Sequence, residues 1–440
     1  PKAIKVGLLP TPDTLRWLAA QLEKIRRSQN IFCVWDPVLK ASTGAQISAT
    51  FTRAEIDSLL QQIDLITPNL QEAERLTAIN IQSFADIESA AQQLLARGVK
   101  HVLIKGGHSF NDDPVCRDYY ASQDHSFWLT HAKQDQVHNH GTGCTLASAI
   151  ASFVAQGSTL SDSLVLANRY IQQALRLAAP QGQGAGPVWQ GALENQPADL
   201  CELIKNREQL LKPDLPAFPR AEKLGLYAIV NSLDELQRLM AQGINTFQWR
   251  DKGLASVTEQ APSEQEPSEA GSSAKQALKQ AITLCREKGM PLYINDHWQL
   301  ALEFEAYGLH LGQEDLSELS DDDLQRIQKQ GLYLGISCHN ETELAYALHL
   351  KPSYLAFGPV FTPKSKVVDH PPLGLNTLAR WQASYGKVYP TTCIGGIEQE
   401  NLAQVLNSTM DSIAVISAVQ KNATSHDFIA MFQQLTANPR

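Results

Sequence analysis

The stretch YINDHWQLALEFEAYGLHLGQEDL, residues 293–316, decides the fold. Two short apolar runs, 291–294 and 307–311, stop abruptly at polar residues: Asn295-Asp296 after the first, Gln313-Glu314-Asp315 after the second. Between them Trp298, Leu300, Ala301, Leu302 and Phe304 give a helical apolar stripe. Strand, helix, strand puts carboxylates at the C-terminal tips of successive strands, about 4.8 Å apart if the strands are parallel neighbours. Two hard oxygen ligands at adjoining tips suit one Mg²⁺ that also takes phosphate oxygens. Asp also favours the N-cap of a helix, so Asp296 and Asp315 carry both readings at this point.

The same rhythm extends in both directions. Short β-rich runs at 224–230, 246–249, 332–336, 354–357, 388–392 and 412–416 alternate with helical patterns. That is about eight βα units in roughly 220 residues, which predicts a TIM barrel with its site at the strand C-termini. The tips then read together. Gln248, Arg250 and Lys252 alternate after the second strand, Asn295 and Asp296 end the third, and His310, Gln313 and Asp315 end the fourth. Ser337 and His339 end the fifth; residues 358–366 (GPVFTPKSK), 394–397 (IGGI) and 416–418 (ISA) follow the last three. Loops after strands seven and eight commonly bind phosphate through backbone N–H groups. Cations around two carboxylates make a second anionic site, fit for Mg²⁺ and a diphosphate. Two phosphate sites facing one mouth imply two phosphorylated substrates being joined. The duller readings are a solvated face for Arg250 and Lys252, an ordinary turn at Gly395-Gly396 and a core role for His310. Residues 255–273, rich in Ser, Glu, Pro and Gly, read as a disordered acidic insertion.

The first half alternates strands (4–9, 31–35, 65–68, 101–104) with helices (14–25, 54–63, 83–96), predicting a parallel sheet in a three-layer α/β sandwich. Runs at 115–119 and 126–129 read as a small antiparallel excursion. His138-Asn139-His140-Gly141-Thr142-Gly143-Cys144-Thr145 opens a helix through residue 154. Small residues there let a ligand approach the backbone, and the helix N–H groups favour an anion. No GK[ST] follows, so this is not a Walker loop. Cys144 suits a small buried position or a thiol whose pKa the helix end lowers. From 190 the pattern loosens, and Pro197, Pro213, Pro216 and Pro219 punctuate one short helical stretch, 199–211. The expected domains are 1–192 and 223–440, with a linker at 193–222.

Composition agrees. A chain of 440 residues, 43% hydrophobic and 19% charged, is globular and too long for one ordinary core. A net charge of −9 without a basic block argues against nucleic-acid binding. Seven scattered cysteines without CxxC pairs fit a reducing compartment. No run reaches membrane-span length, and no signal peptide opens the chain, so a cytoplasmic enzyme with small-molecule partners is expected, homo-oligomerisation left open. The chain opens at Pro1 inside an α/β pattern, without an initiator Met, and reads as cut at the front.

Two families resemble these motifs. Asp36-Pro37-Val38, Thr67-Pro68-Asn69-Leu70-Gln71-Glu72-Ala73, Lys105-Gly106-Gly107-His108, His140-Gly141-Thr142-Gly143-Cys144-Thr145 and Gly186-Pro187-Val188 occur in the order seen in hydroxymethylpyrimidine (phosphate) kinases, which are ribokinase-like. The resemblance implies that Asn69 and Glu72 organise Mg²⁺ and the ATP phosphates. It implies an anion hole at Thr142 and Gly143 with Lys105 alongside, and Cys144 as the base near the acceptor hydroxyl. The family's pyrimidine-gripping segment precedes the point where Pro1 begins, so an impaired kinase is expected. The alternative is a non-catalytic scaffold or sensing module.

Gln248-Trp249-Arg250-Asp251-Lys252, Tyr293-Ile294-Asn295-Asp296, the GLHLGQEDL and GISCH runs, the GPVF and SK pair, IGGI and ISA resemble thiamine-phosphate synthases. That resemblance implies Mg²⁺ on Asp296 and Asp315. It implies diphosphate on Arg250, Lys252, Asn295 and Lys366, and the pyrimidine placed by Gln248 and Ser337. Thiazole phosphate would sit at Gly396, Ile416 and Ser417, with Thr362 or Ser365 also on phosphate; Arg250, Ser337 and Lys366 would serve catalysis. Thr362 and Pro363 stand interchanged relative to the family's usual order, and Asn231 stands where an Asp is frequent. A related barrel, the thiazole tautomerase, lacks the acidic pair retained here.

Overall fold

The computed structural model describes residues 1–38, 51–107, 113–212, 216–254, 269–362, 370–410 and 412–437. The chain forms two compact units, Pro1–Asp214 and Leu215–Arg440.

In the first unit β1 (Ala3–Val6), β2 (Phe32–Trp35), β3 (Leu65–Ile66) and β4 (His101–Ile104) pair in parallel, in chain order. Antiparallel β5 (Val115–Ala121), β6 (Ser126–Ala132) and β7 (Glu202–Ile204) extend the sheet to seven strands. The central strands are short and apolar because helices cover both faces, the condition under which parallel sheets occur. Leu15, Leu22, Ile87, Leu94, Trp35 and Val102 share one core. Helix starts are written locally: Thr11 caps Pro12–Arg26, Ser83 caps Phe84–Ala96, and Thr52 with Glu55 forms a capping box before Arg53–Leu60.

β7 departs from the sequence reading. The stretch expected as a linker with a helix over 199–211 carries instead a 3₁₀ turn (Pro197–Asp199), this strand and a short helix, Arg207–Leu211. Its ladder to β6 pairs Trp128 with Ile204 and Leu129 with Leu203. Asp199, fully buried, accepts hydrogen bonds of 2.8 and 2.7 Å from the Arg176 guanidinium. Residues up to Asp214 therefore belong to the first unit.

The second unit is a closed barrel of eight parallel strands: β8 (Gly225–Val230), β9 (Thr246–Trp249), β10 (Leu292–Asn295), β11 (Gly308–Leu311), β12 (Tyr333–Cys338), β13 (Tyr354–Phe357), β14 (Thr391–Cys393) and β15 (Ser412–Val415). Three buried tyrosines, Tyr227, Tyr293 and Tyr354, fill its interior. Glycines on neighbouring strands make room for them. A Cβ at Gly335 would lie 2.1 Å from the Tyr354 ring, and one at Gly308 would lie 2.7 Å from that of Tyr293. Of the acidic insertion, residues 255–268 fall outside the described residues. Residues from Glu269 onward are not loop but the start of helix Glu269–Glu287. No helix among the described residues is long and apolar enough to cross a membrane.

Candidate functional site

Each unit gathers its polar residues at strand ends. In the first, Asp36 leaves β2, Thr67 leaves β3 and Lys105 leaves β4, so parallel pairing alone brings them together. The Lys105 ammonium donates to Asp36 Oδ1 at 2.7 Å, and the Thr67 hydroxyl donates to the same oxygen at 3.4 Å. The first turn of helix Thr142–Ala155 lies against this pair: a Cβ at Gly143 would sit 3.0 Å from Lys105 Nζ. Gly141 enters the turn at φ 84°, a left-handed conformation that glycine takes without strain. The first-turn N–H groups, including those of Gly143 and Cys144, have no intrahelical acceptor. Thr142 turns its hydroxyl back to the Asn139 carbonyl at 2.6 Å.

Asn69 and Glu72 cap each other at the start of helix Leu70–Thr77, with N–H to side-chain oxygen distances of 2.9 and 2.8 Å. Cys144 is exposed, but its thiol departs from the sequence reading. Burial of the sulfur and the nearby Asp36 carboxylate raise its pKa, outweighing Lys5, which acts the other way. The expected lowering at a helix end is overridden first by burial of the sulfur and then by the Asp36 charge close by.

In the barrel, a cavity of about 300 Å³ is walled by Gln248, Arg250, Asn295, Asp296, Asp315 and Ser337, six of the residues singled out from the sequence. Asp296 does not cap the next helix; that place falls to His297, which makes no side-chain cap. Asp296 instead takes a left-handed backbone (φ 66°) and donates its N–H to the His310 carbonyl at 3.0 Å. Asp315 does serve its own helix, accepting from the Gly312 N–H at 3.2 Å. Burial and the facing Asp315 carboxylate push the Asp296 pKa up to about 7, with Arg250 and Asn295 partly offsetting. The Arg250 backbone N–H donates to the Val230 carbonyl at 2.8 Å, while its guanidinium, on the cavity wall, makes no hydrogen bond or ion pair with a described residue and is available to an anion.

Other expected residues sit elsewhere. β9 ends at Trp249, and Lys252 opens a 3₁₀ turn, so strand alternation does not carry its backbone to the mouth; its side chain lies outside the description. Ser365 and Lys366 lie outside the described residues. Thr362, Gly396, Ile416 and Ser417 are not among the cavity walls. Gly396 packs tightly, since a Cβ there would lie 2.8 Å from that of Phe361, and Asn401 donates to its carbonyl at 2.8 Å. Ser417 is exposed at the start of helix Ser417–Gln420.

Sequence reading missed three contributors: Tyr227, Tyr354 and His370. Tyr227 lines the cavity and meets Tyr354 Oη at 2.9 Å; His370 stacks on His339 at 4.3 Å between ring centroids. The tyrosines could have been found by strand parity, because Tyr227 shares the inward face with Ile229, and Tyr354 with Ala356.

Known proteins match both units. The family model for phosphomethylpyrimidine kinase matches residues 1–189, and that for thiamine monophosphate synthase matches residues 226–419. A probable thiamine biosynthetic bifunctional enzyme, chloroplastic, from Oryza sativa subsp. japonica is 29% identical over 423 residues, covering 94% of this chain and 72% of its own. A thiamine-phosphate synthase from Photorhabdus laumondii is 41% identical over 209 residues, covering 48% of this chain and 88% of its own. Among solved structures, a pyridoxal kinase from Staphylococcus aureus in complex with AMP-PCP and pyridoxal aligns at 28% identity and a TM-score of 0.38, over 43% of this chain and 66% of its own.

Proposed function

Because the chain belongs to the thiamine-phosphate synthase family, with a phosphomethylpyrimidine kinase domain ahead of the barrel, we propose that its cavity joins hydroxymethylpyrimidine diphosphate to thiazole phosphate, releasing diphosphate. The facing carboxylates of Asp296 and Asp315 carry this reading. A buried pair that holds one carboxyl up near neutral pH is relieved by a divalent cation as well as by a proton. Mg²⁺ held there supplies charge neutralisation to the leaving diphosphate.

The chain's own residues do the rest. Arg250, whose guanidinium makes no hydrogen bond to a described residue, takes diphosphate oxygens, and Asn295 holds Asp296 in place through its amide. Lys252 and Lys366 add cations to the same group. Gln248 and Ser337 place the pyrimidine from β9 and β12. The carbon–oxygen bond to diphosphate breaks, and the thiazole nitrogen supplies the pair of electrons for the new bond, so the protein needs no base. Gly396, Ile416 and Ser417, with Thr362 or Ser365, seat the thiazole phosphate. In the first unit, Lys105 and the Thr142–Gly143 turn take ATP phosphates, Asn69 and Glu72 position the Mg²⁺-bound nucleotide, and Cys144 faces the acceptor hydroxyl.

The test is thiamine phosphate formation from the two substrates with Mg²⁺. Asp296→Ala and Arg250→Ala are each expected to lower kcat/KM by about a hundredfold or more. A folded wild type that forms no product sinks the synthase reading. ATP-dependent phosphorylation of hydroxymethylpyrimidine phosphate, compared with Cys144→Ala, tests the first unit separately.

A further inference from the structure

A chain of hydrogen bonds crosses the barrel interior beneath the cavity. Gln248 Nε2 donates to Tyr227 Oη at 3.1 Å, and Tyr227 Oη lies 2.9 Å from Tyr354 Oη. Tyr354 Oη lies 2.8 Å from His310 Nδ1, and His310 Nε2 lies 2.9 Å from Ser337 Oγ. The five side chains come from five strands, β9, β8, β13, β11 and β12, so only the closed barrel assembles them. Gln313 fixes the far end by donating to the Ser337 carbonyl at 2.7 Å.

Proton counting gives this chain a direction. Each phenol has one proton to donate. Tyr227 accepts from the Gln248 amide and spends its own proton on Tyr354. Tyr354 then spends its proton on His310, whose Nδ1 must present a lone pair. His310 is buried in the barrel, and a ring that accepts at Nδ1 carries a single proton and no charge. Its single proton sits on Nε2 and goes to Ser337 Oγ. Ser337 has no other side-chain hydrogen bond among the described residues, so its own O–H is left for the cavity. At the other end Gln248 keeps its carbonyl oxygen.

We propose that Tyr227 and Tyr354 are positioning residues that lock this direction, so that the cavity offers a donor at Ser337 and an acceptor at Gln248. That pairing fits an aminopyrimidine, whose ring nitrogens accept and whose exocyclic amine donates. Run in reverse, Ser337 would donate to His310 Nε2, His310 Nδ1–H to Tyr354 and Tyr354 to Tyr227, leaving the Tyr227 O–H facing the Gln248 amide N–H₂, donor against donor. The assignment rests on the synthase reading for its ligand, but its direction rests on the hydrogen bonds alone.

The test is the tautomer of His310 in the full-length protein labelled with ¹⁵N-histidine, its signals identified by their loss in His310→Gln. The expected spectrum has an unprotonated Nδ1 and a protonated Nε2. In Tyr354→Phe, close in shape, the two tautomers are expected to mix. The KM for the pyrimidine diphosphate should rise about tenfold while that for thiazole phosphate stays unchanged. A wild-type spectrum with the proton on Nδ1 overturns the proposal. So does a folded Tyr354→Phe whose tautomer and pyrimidine KM both match the wild type. If the wild type forms no thiamine phosphate, the synthase reading falls, and the tautomer alone still decides the direction.

Discussion

Asp296 donates its backbone N–H to the His310 carbonyl at 3.0 Å while holding a left-handed conformation, so one β10–β11 contact turns its carboxylate toward Asp315. An aspartate accepts that conformation more readily than most residues. The carboxylates are thus brought together by backbone geometry, with their mutual repulsion only partly offset by Arg250 and Asn295.

Asp296→Asn keeps the shape and the left-handed tolerance but removes one charge. In metal-free protein at pH 8 the barrel should become more stable by on the order of 1 kcal/mol, a rise of about 2–4 °C in its melting transition. Its response to Mg²⁺ should vanish. Calorimetry with and without Mg²⁺ checks both; an unchanged Mg²⁺ shift removes Asp296 from the metal site.

The same group gives a pH dependence with a definite sign. The folded pKa of Asp296, about 7, lies above the value of 3.8 for an unperturbed aspartate. Its protonated form is therefore favoured by folding, and that stabilisation is complete below the unfolded value and lost as pH rises through about 7. Metal-free protein should melt lower at pH 8 than at pH 6, and Mg²⁺ should raise the melting temperature more at pH 8. Equal Mg²⁺ shifts at both pH values would contradict the raised pKa.

Packing around the barrel tyrosines is equally testable. Gly335→Ala would place a methyl 2.1 Å from the Tyr354 ring, in a buried layer without slack. A loss of about 1–3 kcal/mol in the barrel's urea transition is expected. Gly331→Ala is the comparison: nothing lies within 4 Å of its Cβ, and its φ of 75° gives a strain cost independent of packing.

In the first unit, Asn69→Ala removes a reciprocal cap and should cost about 1 kcal/mol, as should Ser83→Ala at the next helix. Only Asn69→Ala should also weaken binding of an ATP analogue, measured by titration calorimetry. Equal nucleotide affinity in both variants would reduce Asn69 to a cap.

Cys144 is exposed, and the other six cysteines are buried. Iodoacetamide should therefore label Cys144 first, with peptide mapping as the readout. Because the Asp36 charge helps to hold its thiol protonated, Asp36→Asn should speed labelling at pH 7.5. Slower labelling in that variant would show that the carboxylate assists the thiolate instead.

The sequence by itself determined the two α/β units, the eight-strand rhythm and the residues at the strand tips. These signals are local: apolar period, capping residues and the polar stop after each strand, as at Asn295-Asp296. Tertiary structure decided what local patterns cannot hold. β7 is three residues long and exists through its pairing with β6, so its sequence reads as linker. Asp296 and Asp315 look alike as Asp after a strand, yet one faces the cavity from a left-handed backbone and the other also tends its helix. The thiol of Cys144 is held protonated by its burial and by Asp36, more than a hundred residues away in the chain. The chain from Gln248 to Ser337 has a direction only because a closed barrel brings five strands' side chains into one line of single-proton donors.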